Sequence, residues 1–528
     1  MALNDYSSVS TSAQGPSLTQ VGFGTLGILA YTTAFAERSK VYEDLDGAAD
    51  DYDTTDPIYL ALQVAFAQDP RPPSVKVLRM ANAPVFNVKV TPIAVDSAQY
   101  TLTVVSAGKA AVTVSVTADS SATVDEICDA LETALEAALF TSMGTSATSV
   151  VVGTGAKTFT TQAGLHFPVG STVIASSALG ADSMTGTVTS YSGTTLVLNV
   201  ASVVGSGTDT DWTFSQSDVV VTPDGGTATY LSLTAAAGIW FAVSGWSTDR
   251  LKVEDLTPDP GVAADLAAIR QADDAWYNLS SIYDSRLIQE KISDYIETID
   301  AECAHASADW QMYDSGSSAD IQSILAAKSY KRTLVYAKRN MGTFAGVGGL
   351  AERITSDPGT GPDAGGTYHA KTIAGVSVDT WTPTEKANLR TKGYCLYMTT
   401  AGLNLTLGSE TPAGDFFDYT RFNDWFRIRL QEDFVQIQAN NGRIRFDRIG
   451  LALVETAAKS RLSAGIRAGG IAPEHPETGE PPKVVMPAIS DVSSGDRAAR
   501  RLGGGGVKVY YTYVGAIHFI ESTVTVTL

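Results

Sequence analysis

The sequence predicts a multidomain protein of mixed class, α/β in its main body and α+β elsewhere. Three observations carry that reading. The chain has 528 residues, too many for one hydrophobic core. Residues 21–85 alternate strand, helix and strand, the pattern of a sheet covered by helices. Residues 86–117 instead alternate apolar and polar side chains, and 155–215 form a second β stretch with turn residues at about 8–12-residue spacing.

Residues 1–20 are polar, lack helical periodicity and read as an extended arm. "VGFGTLGILAYT" (21–32) is a glycine-punctuated apolar strand, of the kind buried on both faces. A helix starts at Pro57, which suits a first helical turn, and turns Leu60, Val64 and Phe66 inward. It stops at the Pro70–Pro73 cluster, ahead of a strand at Val75–Met80. After the alternating stretch 86–117, Thr123 caps an amphipathic helix with Ile127, Leu131 and Leu135 on one face. Asp125 and Glu126 stand in its first turn, where the helix dipole favours them. Residues 155–215 form a second all-β stretch, a small barrel or sandwich.

Helix–strand alternation resumes from about 226. "GVAADLAAIRQADDAWYNLSSIYD" gives a helix and then a strand. "SRLIQEKISDYIETIDAECAH" reads as one long helix, and "TLVYAK" (333–338) as a buried strand. Residues 421–440 are a helix carrying Phe422, Trp425, Phe426, Phe434 and Ile437 on one side. Residues 449–470 are another, closed by glycines. A proline-rich loop (473–482), the strand "KVVMPAI" and terminal strands follow. The expected domains are a terminal arm (1–20), an α/β body in two pieces (21–85 and 226–400), an inserted α+β module (86–154) and an inserted all-β module (155–225). A C-terminal α+β domain (401–506) and a strand arm (507–528) complete the chain.

Composition narrows the function. The net charge of −20 opposes nucleic acid as the main partner, since phosphate binding needs a basic surface. Three widely spaced cysteines, Cys128, Cys303 and Cys395, point to reduced, buried thiols. The N-terminus lacks the basic and then apolar pattern of a signal peptide. No apolar run approaches the ~20 residues that span a bilayer.

Motifs for chemistry are missing. Gly503, Gly504, Gly505 and Gly506 form a run, but no strand-to-helix context or GK[ST] follows, so they read as a hinge rather than a phosphate cradle. The five histidines, His166, His305, His369, His475 and His518, show no metal-ligand spacing. No GxSxG occurs, and acidic pairs such as Asp273–Asp274 read as solvated. No catalytic residue, cofactor or metal is expected. The chain does not read as an enzyme.

Three segments in order resemble the tail sheath proteins of contractile bacteriophages and related injection systems. The first is "GFGTLGILAYT … DPIYLALQVAFAQDPRPPSVKVLRM". The second runs "TPTEKANLRTKGYCLYMTTAGLNLTLGSETPAGDFFDYTRFNDWFRIRLQEDFVQI". The third is "SSGDRAARRLGGGGVKVYYTYVGAIHFIESTVTVTL", with D-R-x-x-R at Asp496–Arg500 and G-A-I-H at Gly515–His518. The resemblance covers 21–85 and 226–528 and leaves out the insertion.

That resemblance implies a homo-oligomeric helical sheath of hexameric rings around a tail tube, with baseplate and terminator proteins at its ends. It implies a structural role in the virion tail, after assembly in the host cytoplasm, and no direct contact with nucleic acid or stable insertion into membrane. Val524, Val526 and Leu528 would form a strand added to a neighbouring subunit's sheet, and Gly15–Pro16 and Gly503–Gly506 would be hinges. Lys459, Arg461, Arg467, Arg497, Arg500 and Arg501, a basic cluster in an acidic chain, would face the tube. The competing readings are another helical or surface assembly protein, such as a tail tube or adhesin, and an α/β enzyme with a β accessory domain.

Overall fold

The computed structural model describes residues 22–518, apart from 108, 140, 163–164, 166, 168, 178–181, 218, 236, 360–365 and 504–505. The expected arm at 1–20, His166, Gly504, Gly505 and the strand residues Val524, Val526 and Leu528 lie outside the described residues. The chain forms two compact units. The larger comprises Thr25–Thr355 and Tyr368–Asp415. The other is built mainly from Phe416 onward, with short contributions from residues before Thr25 and from Ser356–Thr367.

The larger unit is organised by an eight-stranded mixed sheet. Parallel strands lie in the order Val75–Met80, Leu26–Tyr31, Asn278–Ser281, Glu302–Ser307, Thr333–Ala337 and Cys395–Thr400. Antiparallel Ser39–Tyr42 and Leu403–Leu407 close the two edges. Leu26, Ile28 and Leu29 are fully buried, as expected of a central strand covered on both faces. The helix Pro57–Phe66 starts where the proline places it, and the Asp56 carboxylate accepts the Ile58 N–H at 2.7 Å. Val64 and Phe66 face inward, while Leu60 is only half-buried and Leu62 takes the core position.

The stretch read as one helix over 285–305 divides. The helix ends at Ile296, and Glu302–Ser307 is a strand buried in the sheet centre. "ECAHAS" has little β propensity of its own, so burial between two parallel neighbours overrides local preference.

Between Val75–Met80 and Asn278–Ser281 the chain leaves this sheet. Asn87–Pro92 joins Val219–Pro223, Leu231–Ala235 and Leu251–Asp255 in a four-stranded antiparallel sheet. Gln99–Ser106 pairs with Val112–Thr117 and Phe241–Trp246. The helix Val124–Leu139 packs Ile127, Leu131 and Leu135 against this module, and Thr123 Oγ1 accepts the Glu126 N–H at 3.2 Å. Nested inside it is a six-stranded antiparallel sheet from Thr141–Ser146 to Trp212–Ser217. Its own core holds Phe159, Phe167, Leu196, Leu198, Trp212 and Phe214. The sequence places a return to α/β alternation at 226, whereas strands up to Asp255 pair back to Asn87–Pro92. Alternation marks a strand but does not name its partner.

The smaller unit centres on two helices, Phe417–Asn440 and Arg448–Arg467, joined by a short connection. Asp447 caps the second, accepting the Gly450 N–H at 2.9 Å. Phe422, Trp425 and Phe426 form the core with Tyr511 and Tyr513. Phe434 and Ile437, expected on the same face, are only half-buried. Among the described residues no helix is long and apolar enough to cross a membrane.

Candidate assembly interface

In open α/β sheets, ligands bind beyond the carboxyl ends of the strands where strand order reverses. Here that point lies between Leu26–Tyr31 and Asn278–Ser281, and side chains fill it. The Tyr31 N–H donates to the Tyr283 hydroxyl at 2.7 Å. The inserted module supplies Trp240, whose indole N–H donates to the Ile282 carbonyl at 3.4 Å and whose ring stacks obliquely on Phe344, 6.4 Å away. Phe86 lies 5.8 Å from Tyr283 and 6.1 Å from Phe241. The crevice is an aromatic core.

A glycine-rich stretch, "MGTFAGVGGL", runs from the turn after the strand Thr333–Ala337 into the first turns of the helix Ala345–Ile354, the context in which backbone amides can cradle phosphate. Its glycines serve packing instead. A Cβ at Gly346 would overlap the Ala304 carbonyl, and one at Gly349 the Tyr336 hydroxyl. The Gly342 N–H already donates to Asp284 at 2.7 Å. Desolvation pushes the Asp284 carboxyl up to about 8, against the Gly342 hydrogen bond and with help from Asp255.

Sequence reading missed one constellation that looks catalytic. Ser293 Oγ lies 3.0 Å from His305 Nε2, and Cys303 Sγ lies 3.8 Å from the same nitrogen. All three are buried between a helix and the sheet. Desolvation lowers His305 to about 3 and raises Cys303 to about 12. A histidine that stays neutral beside a thiol that stays protonated is packing, not a nucleophile and its base. Cys128, Cys303 and Cys395 are all free and buried, and no group of metal-ligating side chains occurs among the described residues.

The smaller unit has a different surface. Residues 416–518 hold 14 of the 37 basic residues and 11 of the 57 acidic ones, a net +3 in a chain of net −20. Exposed apolar side chains gather there too, among them Phe446, Ile449, Leu453, Val485, Tyr510 and Ile517. Where such residues form a contiguous patch they make a candidate contact surface.

The structure separates the basic residues singled out by sequence. Lys459 pairs with Glu455 at 2.7 Å on the exposed helix face. Arg461 instead turns inward, bidentate to Asp433 on the facing helix at 2.8 and 2.8 Å, with its guanidinium 5.5 Å over Trp425. It ties the two helices together. Arg467, Arg497, Arg500 and Arg501 are exposed, and Arg501 bonds Asp496 at 2.5 Å. A Cβ at Gly503 would overlap that Asp496 carboxylate, and Gly506 has φ +67. The left-handed backbone at Gly506 favours glycine, whereas at Gly503 the Asp496 side chain could yield to a Cβ.

Next to the glycine run, Lys483–Val485 pairs antiparallel with Lys508–Tyr510, Lys483 opposite Tyr510. No third strand joins either outer edge among the described residues. Two strands of three residues are marginal alone, and open edges with exposed Val485 and Tyr510 accept further strands.

No protein-family model matches the chain, and no curated protein matches it in sequence. Among solved structures it is similar to the sheath tail protein of Desulfitobacterium hafniense, with 9% identity over 96% of this chain and 99% of the other, TM-score 0.42. It is similar to the sheath tail protein of Listeria innocua, with 8% identity over 94% and 96% of the two chains, TM-score 0.40. A third match is to the helical sheath of the anti-feeding prophage in its contracted state, with 13% identity over 51% and 74%, TM-score 0.38.

Proposed function

We propose that the chain is a structural subunit of a contractile tail sheath of the bacteriophage type, polymerising helically around a tail tube and contracting to drive it through the host envelope. One observation carries the reading: the two-stranded sheet of Lys483–Val485 and Lys508–Tyr510, which no third strand joins among the described residues although Tyr513 beyond it bridges Ile471, in the basic, apolar-surfaced unit. A strand carrying Val524, Val526 and Leu528 from a neighbouring copy completes it by strand addition. Each backbone hydrogen bond contributes ~0.5–1.5 kcal/mol. Several links per subunit make a polymer firm while each remains reversible. Head-to-tail contacts of this kind generate helices rather than closed dimers.

The three sequence segments that resemble sheath proteins support the same reading, as does the aromatic filling of the crevice where an α/β enzyme holds its ligand. In this proposal the α/β body is the sheath core, interrupted by a β-rich insertion on the outer surface. The C-terminal unit turns Lys459, Arg467, Arg497 and Arg501 toward an acidic tube, whereas Arg500 lines a groove beside the glycine run, and exposed pairs of ~0–1 kcal/mol each hold it loosely enough to release. The glycine run absorbs the change between extended and contracted packing. Electron microscopy of the purified chain tests this: striated hollow sleeves are expected, and their loss on deleting 523–528 with cooperative melting intact. A truncated chain that unfolds would place that strand in its own core and overturn the proposal.

A further inference from the structure

The smaller unit contains a groove of about 540 Å³ between the end of the helix Phe417–Asn440 and the start of Arg448–Arg467. Its walls are apolar, from Phe434, Ile437, Leu451 and Val454 on the two helices to Leu502 and Val507 beside the glycine run. Arg443 and Arg500 also line it, and neither has an acidic partner among the described residues. This is the size of pocket that buries a small ligand or the anchor side chains of a peptide. Its chemistry asks for bulky apolar groups next to a carboxylate.

We propose that the groove receives Phe519, Ile520 and Glu521 of a second copy, the two apolar side chains inside and the carboxylate against Arg443 and Arg500. These residues lie outside the described part of the chain, and residues 1–21, also outside it, offer no such triplet. The same chain cannot supply them. His518 is held at the other end of the long helix, its ring 4.7 Å from Phe416 and its Nε2 2.8 Å from Thr367. At 1.5 Å rise per residue, Phe434 and Ile437 are about 27–32 Å from that end. Residues 519–521 reach only about 11 Å beyond His518. The donor is therefore another molecule. Val507 in the groove wall runs directly into Lys508–Tyr510, so a docked triplet would deliver the following residues to the open strand edge. The inference rests on the assembly reading above and names where the arm enters.

The test uses full-length protein in sedimentation velocity. One variant breaks the groove (Leu451→Asp with Val454→Asp) and another the arm (Phe519→Asp with Ile520→Asp). Each alone should raise the concentration needed for polymerisation at least tenfold. Mixed in equal amounts, they should form dimers and stop, because each partner keeps one working half. If the groove variant does not melt like wild type, Arg443→Glu with Glu521→Arg replaces it, and the pair should restore what each single change removes. Polymerisation of both variants at the wild-type concentration, or no rescue on mixing or charge exchange, overturns the groove while leaving strand addition intact. A wild-type chain that stays monomeric at every concentration overturns the assembly reading and this inference with it.

Discussion

Replacing Arg461 by glutamate should destabilise the smaller unit by about 3 kcal/mol, whereas Lys459→Glu, two residues earlier, should change it by less than ~0.5 kcal/mol. The two residues are alike in sequence but differ in surroundings. Lys459 is 60% exposed and holds one i, i+4 contact with Glu455, worth about 0.3–0.5 kcal/mol on a helix surface. Arg461 is 16% exposed, makes a two-pronged bond to Asp433 on the facing helix and sits over the Trp425 ring. Charge-assisted hydrogen bonds contribute about 1.5–3 kcal/mol and the aromatic contact about 0.5–1 more. Glutamate removes both and sets a second carboxylate against Asp433. Urea denaturation of the single variants and of Arg461→Glu combined with Asp433→Arg measures the coupling, and the reversed pair should recover more than half of the loss. A stability-neutral Arg461→Glu that still abolishes assembly would refute this reasoning and return Arg461 to the outer face.

Other outcomes follow from the same geometry. Gly349→Ala should cost about 1–3 kcal/mol in chemical denaturation, because its Cβ would overlap the hydroxyl of fully buried Tyr336; a neutral result would show that Tyr336 moves freely. Cys303 should resist thiol reagents at neutral pH until the chain unfolds, since burial keeps it protonated; rapid labelling of the native protein would contradict the packing. Asp284, with its carboxyl raised to about 8, binds its proton more tightly folded than unfolded. Its contribution is therefore complete below about pH 4 and is lost as pH rises through 8. Asp284→Asn should flatten that part of the stability–pH curve, and an unchanged slope would assign the dependence to other groups. Thr141 pairs with Gln216 across the base of the six-stranded sheet, so replacing 141–217 by a three-residue glycine–serine linker should leave cooperative melting and assembly in place. Lost assembly would put that sheet in an interface.

Much of the framework is legible in the residues. Pro57 and Val75–Met80 mark their elements because proline and dense apolar residues act locally. Ile127, Leu131 and Leu135 identify a buried face by spacing alone. What escapes depends on partners distant in sequence. "ECAHAS" becomes a strand only because two buried neighbours flank it, and Val219–Asp255 join the inserted module by pairing that no local pattern records. At the candidate interface, charge segregation toward the C-terminus was readable, but not which cation was already engaged. Arg461 and Lys459 share a helix, and only the facing Asp433 tells them apart.

The position of the insertion has a consequence for synthesis. Leu26–Tyr31 cannot gain its neighbour Asn278–Ser281 until about 250 further residues have been made. At roughly 5–20 residues per second, the first strand–helix–strand unit waits for about 10–50 s with one flank of a fully apolar strand uncovered. The nested sheet closes between 141 and 217 and the surrounding module by 255, so both can complete while that strand still waits. The inserted modules can thus fold before the strand that precedes them gains its second neighbour. During that interval the central strand is the element most open to capture by a chaperone or by another nascent chain.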